Sequence, residues 1–246
     1  MTEFVAEIGL NHLGDEDRAS RMLAEALDAN VDCVTFQIRE PEFYESSEVS
    51  HRALPTSFYQ SASRTVREAG KKFGIAIADE TKVAALDGVG VDFWKTLSWD
   101  FGNLGLRRTL FETRRPVFLS TGLSSTAEVL AGSKDLNNAI LIHTQLSQAV
   151  SEVNLKAIPV MAKATGLPVA FGLHSANHGV LKMALSFEPH SIFFYVKEPG
   201  EKFLFDDQHA LPLSGLADEI SGLRELTSAL GSGKKAEMGK PAWVVE

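Results

Sequence analysis

The chain has 246 residues, 44% of them hydrophobic and 23% charged, which is enough to bury a large core as one barrel-sized domain or two small ones. A net charge of −8, with only short basic pairs such as Arg107-Arg108 and Arg114-Arg115, argues against a nucleic-acid surface. No apolar run approaches the ~18 residues of a membrane span and no secretory leader is evident, so a cytoplasmic protein away from membranes is expected. The lone Cys33 sits in a predicted strand and reads as a small buried hydrophobe rather than a nucleophile.

Short apolar, β-branched runs alternate with longer amphipathic segments. A strand over 3–8 leads into a polar turn (Gly9, Asn11, His12, Gly14, Asp15) and a helix over 16–29. Strands follow at 33–38, 74–78, 93–97, 116–120, 139–143, 168–173 and 191–196. The helices between and after them are expected at 57–72, 82–86, 104–113, 126–130, 154–164, 178–186 and 214–230. Continuous hydrophobicity suits strands buried on both faces, as in a parallel sheet. Asp15, and Ser125-Thr126 ahead of Glu128, read as helix caps. Eight strand–helix units in a chain of this length predict a (β/α)8 TIM barrel over 1–230. An open doubly wound sheet is the alternative, but no GxGxxG follows the first strand. Residues 231–246, rich in Gly, Ser and Lys, read as a linker-like tail.

Barrel enzymes place their ligand at the C-terminal ends of the strands. Those ends carry Glu7, Asn11 and His12; Gln37 and Arg39; Lys95, Ser98 and Asp100; Ser120-Thr121-Gly122; His143; and His174 with His178. A Lys inside FWKTLS must find an anion or thread to solvent, which makes Lys95 a ligand candidate. Ser120 and Thr121 suit either turn chemistry or an anion cradle. Glu7 is either a reacting group or the partner of a neighbouring Lys, and His12 either a turn cap or a ligand contact. His174 and His178 have i, i+4 metal spacing, although the first should end a strand and the second start a helix. His51, His190 and His209 are given structural roles.

The segments AEIGLNHLGD (6–15), VTFQ (34–37), FWKTLSWDFGN (93–103), FLSTGLSSTAEV (118–129), LIH (141–143), VNLKAI (153–158) and FGLHSANHG (171–179) occur in this order. In that succession the chain resembles the sialic acid synthases, which include N-acetylneuraminate, legionaminate and pseudaminate synthases. The resemblance implies a (β/α)8 barrel followed by a small antifreeze-like domain, commonly in a domain-swapped dimer. It implies condensation of phosphoenolpyruvate with an N-acetylated hexose aldehyde, aided by a divalent metal such as Mn or Mg. Lys95, Ser98 and Ser120 fall where that family binds phosphoenolpyruvate, Glu7 where it contacts the sugar, and Asp100 where it has a catalytic carboxylate. Glu7, Lys95 and Asp100 are therefore the catalytic candidates. Asn11, His12, Gln37, Ser98, Ser120, Thr121 and His143 are the substrate-binding ones.

The chain departs from the family at several points. The family's KFQ or KHQ reads Thr35-Phe36-Gln37, without the Lys. Its two metal-binding His residues align with Ala176 and Val196, leaving His174 and His178 as candidates for a shifted site. Its sugar-contacting Asn and Tyr align with Leu146 and Gln148, and no antifreeze-like domain is expected in 231–246. The expected function is a diverged nonulosonic-type synthase working on phosphoenolpyruvate and an amino-sugar aldehyde, as a homodimer or paired with a related subunit. The alternative is a catalytically inactive barrel that binds a ligand or regulates an active synthase.

Overall fold

The computed structural model describes residues 2–46, 52–200 and 206–235. His51 and residues 236–246 of the expected tail lie outside them. Eight parallel strands run in sequence order: β1 (Glu3–Gly9), β2 (Cys33–Ile38), β3 (Lys72–Ile77), β4 (Phe93–Lys95), β5 (Val117–Ser120), β6 (Ala139–Thr144), β7 (Val169–Gly172) and β8 (Ser191–Lys197). β1 pairs with both β2 and β8, so the sheet closes on itself as the expected (β/α)8 barrel. The helices are α1 (Glu16–Asp28), α2 (Thr56–Glu68), α3 (Val83–Asp87), α4 (Leu104–Glu112), α5 (Thr126–Ser133), α6 (Ala157–Thr165), α7 (Gly179–Leu185) and α8 (Leu216–Ser228). A two-residue strand, β9 (Leu211–Pro212), pairs with the end of β8 and had no counterpart in the sequence reading.

Most element boundaries fall close to those expected. One error is instructive: α2 stops at Glu68 rather than at 72. Gly70 takes φ +70, its N–H bonds back to the Arg67 carbonyl, and Lys72 is left free to begin β3. The caps at Asp15 and Ser125 form as read. Asp15 accepts from the Arg18 N–H, and Ser125 and Glu128 make a reciprocal capping box.

Two apolar layers build the core. Outward strand residues such as Phe4, Val34, Phe36, Leu141 and Val196 pack against buried helix faces such as Met22, Val66 and Leu110. Inside the barrel, Val5, Cys33, Phe93, Phe118, Ile140, Ile142, Ala170 and Phe193 form a separate plug. The rings of Phe93 and Phe193 each lie edge-on to Phe118, with centroids 5.1 Å apart in both pairs. Phe93 fits because position 74 is Gly. A Cβ there would lie 2.3 Å from the Phe93 ring.

Candidate active site

Side chains on a strand alternate between its two faces, so the residue two positions beyond each plug residue also points inward. Besides Ile142, itself part of the plug, and Gly172, those positions are Glu7, Thr35, Lys95, Ser120, Thr144 and Tyr195, all buried. A polar layer therefore rests directly on an apolar plug, at the C-terminal end where barrel ligands bind. Lys95 Nζ donates to Glu7 Oε1 at 2.5 Å and lies 5.6 Å and 5.9 Å from the ring centroids of Phe193 and Tyr195. Tyr195 donates its hydroxyl to Gln37 Oε1 at 3.1 Å. The hydroxyls of Ser98 and Ser120 are 3.0 Å apart. A Cβ on Gly122 would come within 2.8 Å of Ser98 Oγ, so this glycine lets the β5 turn close over the serine pair.

Above this layer opens a cavity of about 260 Å³ whose wall includes Lys95, Gln37, Ser98, Tyr195, Asp206 and His209. A larger cleft, about 540 Å³, lies around Glu3, Lys72 and His190 at the N-terminal end of the strands, the face that carries stability rather than chemistry in such barrels. At the mouth, Arg39 sits 4.2 Å from the ring centre of Phe43 and 4.7 Å from that of Trp99, and Glu40 grips it through two hydrogen bonds. Asp206 lies in the loop between β8 and β9. Burial, and then the neighbouring Glu7 carboxylate, push its pKa up to about 7. The His209 ring packs against His174 at 4.7 Å and Tyr195 at 5.2 Å. Burial is the main cause that holds His209 down to about 4 and His174 to about 3, so both imidazoles are neutral at pH 7.

Of the residues singled out from the sequence, Gln37, Arg39, Lys95, Ser98 and His174 stand in the cavity wall, with Glu7 and Ser120 hydrogen-bonded to wall residues. The others do not. Asn11 donates to the Val196 carbonyl, and His12 accepts from the Gly14 N–H and leans on the outward-facing Phe36. They brace the turn after β1, and burial with Arg52 and Arg18 nearby lowers His12 to about 4. His143 lies between inward Ile142 and inward Thr144, so it faces the helices and bonds to the Val153 carbonyl. Together with Thr121 it lines a separate cleft of about 120 Å³ beside α5 and α6. Asp100 is outside the cavity wall, with one carboxylate oxygen buried and unpartnered, and burial raises its pKa. His178 also lies outside that wall, immediately before α7.

Three wall residues with polar groups were not among the site candidates: Tyr195, Asp206 and His209, the last of them given a structural role from the sequence. Tyr195 was within reach, since strict alternation from Phe193 points it inward. Asp206 and His209 come from a loop with no periodicity, where the only signal was the polar cluster Asp206-Asp207-Gln208-His209.

A sequence model of the NeuB family matches residues 22–235. The chain belongs to the NeuB family. Uncharacterized protein MJ1065 of Methanocaldococcus jannaschii is 28% identical to it over 96% of this chain and 74% of that protein. Human N-acetylneuraminate-9-phosphate synthase is 25% identical over 94% of this chain and 72% of the enzyme. The solved N-acetylneuraminic acid synthetase of Leptospira borgpetersenii superposes with a TM-score of 0.86 at 22% identity, covering 96% of this chain and 87% of that one. The fold is shared.

The NeuB-family resemblance implied a divalent cation, and the residues present can be set against it. Val196 cannot stand in for a metal-binding His, because it belongs to the outer core and its side chain faces the helices. Its inward neighbours are Tyr195 and Lys197, and Lys197 is bonded to Asp207. His174 Nδ1 lies 2.9 Å from the Thr144 hydroxyl, which itself donates to the Gly172 carbonyl, so Thr144 fixes the orientation of this ring. Among the described residues no group of three or more His, Cys, Asp or Glu side chains is arranged to hold a metal ion. The donors among the described residues therefore do not make the set of three or more protein ligands that would fit the divalent cation implied by the resemblance. Among the described residues, too, no helix is long and apolar enough to cross a membrane.

Proposed function

We propose that this NeuB-family barrel condenses phosphoenolpyruvate, or a similar phosphorylated or 2-keto acid, with an amino-sugar aldehyde to form a nonulosonic-type 2-keto sugar acid. The observation that carries this reading is the Lys95 ammonium in the wall of a cavity at the C-terminal mouth, beside the Ser98–Ser120 hydroxyl pair. An ammonium has three N–H donors, and the hydrogen bond to Glu7 uses one. The others, with two hydroxyls, suit the carboxylate or phosphate of an enol substrate. Holding that enol against an aldehyde replaces a bimolecular encounter with a fixed approach, the main contribution a rigid barrel rim makes to such a reaction. Gln37, Tyr195 and the Arg39 stack provide the polar and aromatic surfaces for the second substrate.

Phosphate release from phosphoenolpyruvate across a panel of N-acetylated hexose aldehydes tests the reading. Turnover that Lys95→Met lowers by at least about 100-fold is expected. Absence of phosphate release from every combination, with no protection of the protein by phosphoenolpyruvate against thermal unfolding, would overturn it. The closed Glu7–Lys95 pair and the substituted metal positions favour one other reading, an inactive barrel that binds a ligand and regulates an active synthase, as a homodimer or with a related subunit. Raised activity of a full-length synthase on addition of this chain, with no turnover by the chain alone, would establish that reading instead.

A further inference from the structure

Addition of a carbon nucleophile to an aldehyde places negative charge on the carbonyl oxygen, and some group must neutralise it as it forms. Among the described residues no set of three or more metal-ligating side chains is assembled, yet the same cavity wall holds a carboxyl group that the synthase reading leaves unused. Asp206 reaches the wall from the loop between β8 and β9, with its Oδ1 3.6 Å from His209 Nε2, which is buried and makes no hydrogen bond. Packing against His174 and Tyr195 fixes the His209 ring. The other carboxylate oxygen sits over the end of β1: a Cβ on Gly9 would be 3.5 Å from Asp206 Oδ2. Gly9 has φ +59, and such a Cβ would also lie 2.6 Å from the Tyr195 ring, so only glycine lets Tyr195 settle against this strand.

We propose that this mouth takes no divalent cation and that Asp206, as a carboxylic acid, donates the proton that an aldehyde substrate needs. The charged neighbours agree with the assignment. Burial and Glu7 favour the protonated carboxyl, Lys95 and Arg39 oppose it, and the balance leaves a group that titrates near neutrality, where a general acid is most effective. The identity of the aldehyde rests on the synthase reading; the proton and the missing cation do not.

In the first step the π pair of the enol forms the new C–C bond to the aldehyde carbon. The C=O pair moves to oxygen, which takes the Asp206 proton. Water then adds to the oxocarbenium carbon and returns a proton to the Asp206 carboxylate. Cleavage of the C–O bond to phosphate releases phosphate, with the remaining hydroxyl proton, and leaves the 2-keto acid. Aldehyde, enol phosphate and water are consumed, and Asp206 ends as it began.

Three measurements on the full chain decide the matter. Calorimetric titration of chelator-treated protein with Mn²⁺ should show no stoichiometric binding. Infrared difference spectra near pH 6 should show a carboxylic-acid C=O band that Asp206→Asn removes. Phosphate release should be unchanged by EDTA and fall about 100-fold in Asp206→Asn, with KM for phosphoenolpyruvate unaltered. Stoichiometric Mn²⁺ binding, or a spectrum identical in wild type and variant, overturns the proposal. Where no aldehyde is turned over, the synthase reading falls while calorimetry and the infrared band still decide this one. If Asp206→Asn does not fold, Asp206→Glu keeps a carboxyl and should shift the band; an unmoved band counts against the assignment.

Discussion

Glu7 and Lys95 are 3% and 5% exposed and joined by a 2.5 Å hydrogen bond, a buried ion pair. Two apolar residues of similar volume would serve a core as well or better, which makes a buried ion pair poor evidence for stability and better evidence for use. Removal of one partner strands the other. Lys95→Met should lower unfolding stability by about 3–5 kcal/mol in urea titrations, and adding Glu7→Gln should restore a large part of it. Additive losses in that double-mutant cycle would show that the two groups do not depend on each other. Lys95 was legible in the sequence as an ammonium that needs an anion, and its anion is Glu7, a partnership the sequence offered as one of two readings. His143 was singled out for its place near the end of a strand, and the structure puts it on the outward phase of the alternation, lining a separate cleft.

At the scale of elements, two sites test how local chemistry supports the barrel. The α5 capping box satisfies backbone donors at both Ser125 and Glu128, and Ser125→Ala should lower stability by about 1 kcal/mol. A change within a few tenths of a kcal/mol would mean that tertiary packing alone holds α5. The Gly74–Phe93 contact between β3 and β4 is sterically closed. Gly74→Ala should cost about 1–3 kcal/mol, and the smaller ring-free side chain of Phe93→Leu should recover part of that loss in the double variant. Equal stability of the single variant and wild type would show that the plug has slack. Hydrophobic runs made these strands readable, whereas the three-residue length of β4 depends on where the chain turns away after Lys95.

For the molecule as a whole, buried neutral histidines set the response to acid. His12 and His209 are held to about 4 and His174 to about 3, against about 6.5 in an unfolded chain. Between pH 6.5 and 4 the unfolded state binds protons that the folded state refuses, so stability falls as the pH falls. Each fully depressed histidine contributes up to roughly 3 kcal/mol to that loss. Asp206 acts in the opposite sense: with its folded pKa raised to about 7, it adds stability as the pH falls from 7 towards 4. Three groups against one predict a net decline, visible as a falling urea midpoint at pH 7, 5.5 and 4. A flat profile over that window would contradict the neutral burial of these rings.

The amino-acid sequence alone determined the eight-fold alternation, the helix caps and the family resemblance. These follow from local periodicity and from residues close together in the chain. Only the tertiary structure decided which polar groups meet. Closure of the sheet sets the inward phase of each strand, turns Val196 and His143 away from the mouth and brings Glu7 to Lys95. The loop after β8 adds Asp206 and His209 without any repeating pattern. Convergence of side chains from distant strands is a property of the closed barrel, and no segment read by itself contains it.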